Sequence, residues 1–119
     1  YTTAGAPEIP VLLKSYRLSD DIAFRFGNHH WENWPVTAEK FASWLHAVNG
    51  CGETVNLFLD YETFGEHQWA HTGIFDFMRK LPEAVLDHSD MDFATPSEIV
   101  ARYSPRGDLD VPDFVSWAD

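Results

Sequence analysis

Apolar positions along the chain fall into two rhythms, and the more telling one is short and almost unbroken. Residues 54–59, TVNLFL, are β-favourable and nearly all apolar, which predicts a strand covered on both faces, as in a parallel sheet with flanking helices. A side-chain period of two puts Val55, Leu57 and Leu59 on one face and Asn56, Phe58, Asp60 and Glu62 on the other. One face is packing, and the other turns acidic at its tip. Residues 11–16, VLLKSY, predict a second strand. Ser19 followed by Asp20 and Asp21 reads as an N-cap with acids in the first turn, opening a short helix with Ile22 and Phe26 as one stripe.

Helical spacing is clearest over residues 38–49, capped by Thr37, with Phe41, Trp44, Leu45 and Val48 on one face and Gly50 as the stop. The two strands and this helix compose a βαβ unit with a right-handed crossover and parallel strands. The loop carrying Trp31 and Trp34 and the loop after Asp60 are then expected to share one mouth. Further on, Thr72 caps a helix through Ile74, Phe77, Met78 and Leu81, and one more helical turn follows at residues 82–86. A short strand is expected at 91–94. Thr95-Pro96-Ser97-Glu98 is a capping box with Pro at the first helical position. Residues 1–10 and 104–119, punctuated by Gly and Pro, read as loops, and no internal repeat is visible.

Composition narrows the functions available. At 119 residues there is room for one small domain, so residues 1–119 are read as a single piece. A net charge of -11 excludes nucleic acid and anionic membrane surfaces as natural partners, because both are bound through positive charge. A neutral ligand fits better. The lone Cys51, between two glycines, cannot form an intrachain disulfide and is read as structural. No stretch approaches the roughly 18 apolar residues of a membrane span. Tyr1 opens the chain without a start methionine or a signal peptide, which reads as a piece cut from something longer; a cytoplasmic setting is the expectation.

Candidate chemistry concentrates in residues 60–69, DYETFGEHQW. Carboxylates at the carboxyl end of a parallel strand lie where open sheets bind ligands and barrels carry catalysis. Acids after a strand also commonly do no more than solvate a turn or cap a helix. Here Asp60 and Glu62 stand two apart with Tyr61 between them, and Phe64, Glu66, His67 and Trp69 crowd the same loop. Upstream, NHHWENWP at residues 28–35 offers Trp31 and Trp34 either as a small core under the loop or as flat platforms for a sugar ring. Adjacent His29 and His30 lack a spaced partner set for zinc, and EHQWAH is not the HExxH arrangement. His67 is read as a ligand contact and His71 as structural.

DYETFGEHQW resembles the fourth conserved region of glycoside hydrolase family 57, in its α-amylase branch. Upstream, SYRLSDDIAFRF resembles the segment preceding that region, and the closing VSWAD resembles the start of the fifth. The resemblance implies an α/β fold, part of a (β/α)7 barrel with parallel strands and flanking helices, and retaining cleavage or transfer of α-glucan chains. It implies that Asp60 is the general acid/base. It places Glu62, His67, Trp69, Trp31 and Trp117 near the cleft as substrate contacts. No cofactor and no metal are implied. The nucleophile, a Glu on an earlier strand of the family, has no match here, so the chain holds half of a catalytic pair.

Alone, such a piece is expected to be inactive and to expose sheet edges that the remainder of the barrel, or another copy of the chain, would cover. Two other readings compete. A metal-dependent carbohydrate deacetylase would need a spaced Asp/His/His set. A non-catalytic carbohydrate-binding module would use the Trp-rich loops without cleaving.

Overall fold

The computed structural model describes residues 1–113, which separate into two units: Tyr1–Leu13 with the described residues from Ala94 onward, and Lys14–Phe93. The closing VSWAD, with Trp117, lies outside the described residues.

The first unit is built on a small mixed sheet. β1 (Thr2–Thr3) pairs antiparallel with β2 (Ala6–Pro10) and parallel with β3 (Asp108–Leu109), giving the order β2-β1-β3. Both ends of the sequence, read above as loops, thus contribute strands. Pro7 and Pro10 hid the first of them. Each lacks a backbone donor, but β2 lies at the edge of the sheet, where a missing donor breaks no ladder. Thr2 anchors the centre: its amide donates to the Gly107 carbonyl at 3.0 Å, and its hydroxyl donates to the Asp108 carboxylate.

The same unit contains α4 (Pro96–Arg102), opened by the expected capping box. The Thr95 side chain accepts from the Glu98 amide, and the Glu98 carboxylate accepts from the Thr95 amide at 2.7 Å. These bonds, first from the Thr95 backbone and then from its hydroxyl, hold the Glu98 carboxyl below the usual glutamate value. Because the folded value lies below the unfolded one, this contribution is complete above the unfolded value and is lost as pH falls through the folded one. Acidification is therefore expected to loosen the first turn of α4. The Thr95 amide resonance should move with Glu98 protonation, and a signal insensitive to acid would contradict the cap.

The second unit is helical around one apolar core. α1 (Tyr16–Ala23) has its cap four residues before the one expected at Ser19. Ser15 takes the cap position, because Tyr16, Arg17 and Leu18 are all helix-competent and Leu18 continues the stripe of Ile22 onto the core. Asp20 and Asp21 consequently lie in the second turn and are buried. Each has a cation: Lys14 stands 3.6 Å from Asp20 and Arg25 stands 2.6 Å from Asp21. Burial of unpaired carboxylates would cost several kcal/mol, roughly, so these partners are what permits it.

α2 (Ala38–Ala47) follows its expected cap, with the Thr37 hydroxyl accepting from the Lys40 amide at 3.1 Å. Phe41 and Leu45 are buried, Trp44 is half-buried, and Val48 falls past the helix end and is exposed. α3 (Ile74–Leu86) runs unbroken through Pro82, where a separate turn was expected. Pro82 sits on the exposed side, where water can take the carbonyl bond that its ring cannot make. Gly73, with φ +85°, starts this helix in place of Thr72, a backbone state that glycine adopts without a Cβ clash. Phe26, Phe41 and Phe77 interlock edge to face at 5.0 and 5.7 Å between ring centroids, joining α2, α3 and the segment after α1.

Residues 11–16, 54–59 and 91–94, expected as strands, join no ladder among the described residues. The sheet that is present is mixed rather than all-parallel, and the expected βαβ unit is not formed. Yet the alternation within 54–59 is as read. Val55, Leu57 and Leu59 pack against the core, while Phe58 is 66% exposed. The segment has the faces of a strand and, among the described residues, no strand beside it to pair with.

Candidate active site

Residues 54–59 lie along α1, held by two hydrogen bonds made by their backbone. The Ser15 amide donates to the Asn56 carbonyl at 2.7 Å, and the Phe58 amide donates to the Ser19 hydroxyl oxygen at 3.2 Å. Ser19 is wholly buried, and the bond to it is partly shielded from water. Asp60 follows immediately and is exposed, with an extended backbone that opens a 3₁₀ turn, Tyr61–Thr63.

The loop then folds back on itself. The Thr63 amide donates to the Asp60 carbonyl, and the Gln68 amide donates to the Thr63 carbonyl. The Glu62 carbonyl accepts from both the Glu66 and His67 amides. Gly65, at φ +121°, makes the reversal and donates to the Gln68 carbonyl at 3.0 Å. Two side chains of the loop point inward, Thr63 and Gln68, the latter 5% exposed. Everything else of chemical interest points outward: Asp60, Glu62 and His67 are exposed, Tyr61 is 95% exposed and Trp69 is 62% exposed.

Gln68 is a buried polar position that the sequence reading did not single out. Its side-chain amide donates to the Ala23 carbonyl at the end of α1, 3.0 Å away in a buried setting. Space for it is kept by Gly27, where an added Cβ would lie 2.6 Å from the Gln68 side-chain oxygen. No apolar rhythm marks a buried glutamine between His67 and Trp69. Only the short Gly27, following an apolar stripe, hints that something must approach there.

The aromatic loop at residues 28–35 is tied to the same end of α1. Trp31 is half-buried against the core, edge-on to Trp44 at 6.1 Å, with the Arg25 guanidinium 5.6 Å from its ring centre. Trp34 is the more exposed of the two and stacks on His29 at 4.3 Å. The parallel strand pair from which a shared mouth was inferred is not present. What the two loops do share is an anchor, residues 23–27, through Gln68 on one side and Arg25 on the other. Trp69 meets His71 edge to face at 5.9 Å. Among the described residues, no three His, Cys, Asp or Glu side chains gather closely enough to hold a metal ion, and no helix is long and apolar enough to cross a membrane.

The arrangement displays the Asp60 carboxyl at the exposed start of a hydrogen-bonded turn, with Tyr61 and Trp69 exposed on the same loop. Comparison with known proteins agrees with the motif. The chain is 49% identical over 111 residues to a Methanocaldococcus jannaschii protein named "Putative alpha-amylase", an alignment covering 92% of this chain and 23% of that protein. The chain therefore spans about a quarter of the length of the curated relative it matches. No solved structure matches it significantly. The profile of Glycosyl hydrolase family 57 matches residues 1–112, and the chain belongs to that family.

Proposed function

We propose that this chain is part of the catalytic (β/α)7 barrel of an α-glucan-active, retaining glycoside hydrolase of the α-amylase type. Asp60 is its general acid/base, and the nucleophilic Glu comes from polypeptide outside these 119 residues. The observation that carries this reading is the placement of Asp60: exposed at the end of a strand-like segment, on a turn clamped to α1, in a chain of family 57. Among the described residues, 54–59 has no ladder partner, which fits a strand whose neighbours lie elsewhere in the polypeptide.

In the reaction, the Asp60 carboxyl protonates the glycosidic oxygen as the bond from the anomeric carbon to that oxygen breaks. A second carboxylate, roughly 5 Å from it, closes on the anomeric carbon from the opposite face. Asp60, now ionised, then takes a proton from the water that releases the sugar and so regains its starting form. Trp69, exposed on the same loop as Tyr61, offers an aromatic face to sugar rings, and Trp31 supports residues 28–35 from the core side. Glu62 and His67, exposed on the same loop, are assigned hydrogen bonds to sugar hydroxyls. Trp117 retains the contact role implied by the family resemblance. The acidic character of the chain suits an uncharged substrate.

The test is release of reducing ends from soluble starch. The full-length polypeptide carrying these residues is expected to release them, and the 119-residue chain alone is not. Turnover by the short chain would mean that its second carboxylate is internal, with Glu62 and Asp20 the positions to examine. Binding of glucan by the full-length polypeptide without cleavage would favour the carbohydrate-binding module instead.

A further inference from the structure

The Asp60 turn is closed onto α1 from both sides, and both closures land on one helix face. Before Asp60, the Phe58 amide donates to the Ser19 hydroxyl oxygen. After it, the path runs from the Asp60 carbonyl to the Thr63 amide, and from the Thr63 carbonyl to the Gln68 amide. The Gln68 side chain completes it by reaching the Ala23 carbonyl. Ser19 and Ala23 are four residues apart, one helical turn, or about 6 Å along the axis. The chain between these anchors thus forms a closed ring of short bonds, with Asp60 on its outer rim.

Ser19 and Gln68 are almost entirely buried, and neither faces the side on which Asp60, Tyr61 and Trp69 are displayed. They cannot be substrate contacts in this arrangement. We infer that Ser19 and Gln68 are positioning residues for Asp60, using α1 as the ruler that sets where its carboxyl stands. Gly27 serves the same device by leaving room for the Gln68 amide, since a Cβ there would collide with its oxygen. The inference rests on Asp60 being the general acid. It adds that the acid's location is set by two buried polar side chains rather than by the loop's own stiffness.

Leaving-group dependence separates positioning of an acid from general support of the fold. A sugar leaving group needs protonation, whereas a dinitrophenolate departs without it. In the full-length polypeptide, Gln68→Met keeps the side-chain bulk and removes the donor, and Ser19→Ala removes the acceptor for the Phe58 amide. Each is expected to lower kcat/KM on malto-oligosaccharides by about 10- to 100-fold, and on dinitrophenyl α-maltoside by no more than about threefold, as misplacement by an ångström would do. Equal losses on both substrates, or no loss on either, would overturn the inference. Ser19→Ala carries the test if Gln68→Met is not recovered folded. Asp60→Asn is the control. If it shows no leaving-group selectivity, the Asp60 assignment falls and this inference with it; if it is selective while the other two variants are not, only the positioning role is lost.

Discussion

Asp60→Asn in the full-length polypeptide is expected to reduce kcat/KM on soluble α-glucan by roughly 10²- to 10⁴-fold, the ordinary contribution of a positioned general acid. The amide matches the carboxyl in shape but has no proton of comparable acidity to give, so the sugar oxygen must leave unassisted. Glucan affinity should change little, because the exposed Tyr61 and Trp69 and the buried anchors Thr63 and Gln68 are untouched. Calorimetric titration with a malto-oligosaccharide, run beside the reducing-end assay, separates the two effects. Unchanged hydrolysis would remove Asp60 from the mechanism. Lost binding with intact turnover of bound substrate would make it a contact residue instead.

The second large effect is on stability. Phe41→Ala should destabilise the second unit by about 3–5 kcal/mol, the usual range for deleting a buried aromatic ring. Phe41 has no exposed surface, and its ring meets Phe77 at 5.7 Å and Trp44 at 5.8 Å. Phe77 in turn meets Phe26 at 5.0 Å, so the cavity would open where α2, α3 and the segment after α1 converge. Two packed helices and that segment surround the site and leave little room for collapse into it. Val48→Ala is the comparison: it lies past the end of α2 and is partly exposed, so about 1 kcal/mol or less is expected. Denaturant unfolding of the two variants in the full-length polypeptide, followed by tryptophan fluorescence, should rank them in this order. Equal midpoints would contradict the core as described.

What was legible in the sequence was whatever depends on neighbours within a few residues. Thr37, the Phe41 and Leu45 face, the Ile74, Phe77 and Leu81 stripe and the Thr95–Glu98 capping box all appear as expected, because helix caps and helical stripes are local. Strand pairing is not local. The alternation of Val55, Leu57 and Leu59 was read correctly, but the presence of a neighbour to pair with is not written in those residues. The terminal strands were missed for the converse reason: Thr2–Thr3 and Asp108–Leu109 find each other across more than a hundred residues, with no alternation long enough to announce either.

In the candidate site, Asp60 stood out by its type and its place after an apolar run. The residues that hold it did not. Ser19 resembled a helix cap because a serine before two aspartates usually is one; its burial follows from the Lys14 and Arg25 partners that let those aspartates turn inward. Gln68 carries no hydrophobic signal, and its partner is a backbone carbonyl, which has no sequence identity at all. Trp31 and Trp34 could not be told apart from sequence. In the structure Trp31 is occupied by Trp44 and Arg25, while Trp34 is stacked on His29 and more exposed.

The most direct test of Asp60 as acid/base is the configuration of the product formed when azide replaces its base function. Asp60→Gly in the full-length polypeptide would be supplied with dinitrophenyl α-maltoside, which forms the glycosyl–enzyme bond without acid assistance, and with sodium azide. Azide then attacks the anomeric carbon as the bond to the nucleophilic carboxylate breaks, a step that needs no base. Nuclear magnetic resonance of the product should show α-maltosyl azide, with overall retention. The β-anomer would mean that Asp60 is the nucleophile, and absence of any azide adduct together with undiminished hydrolysis would mean that it has no part in the chemistry.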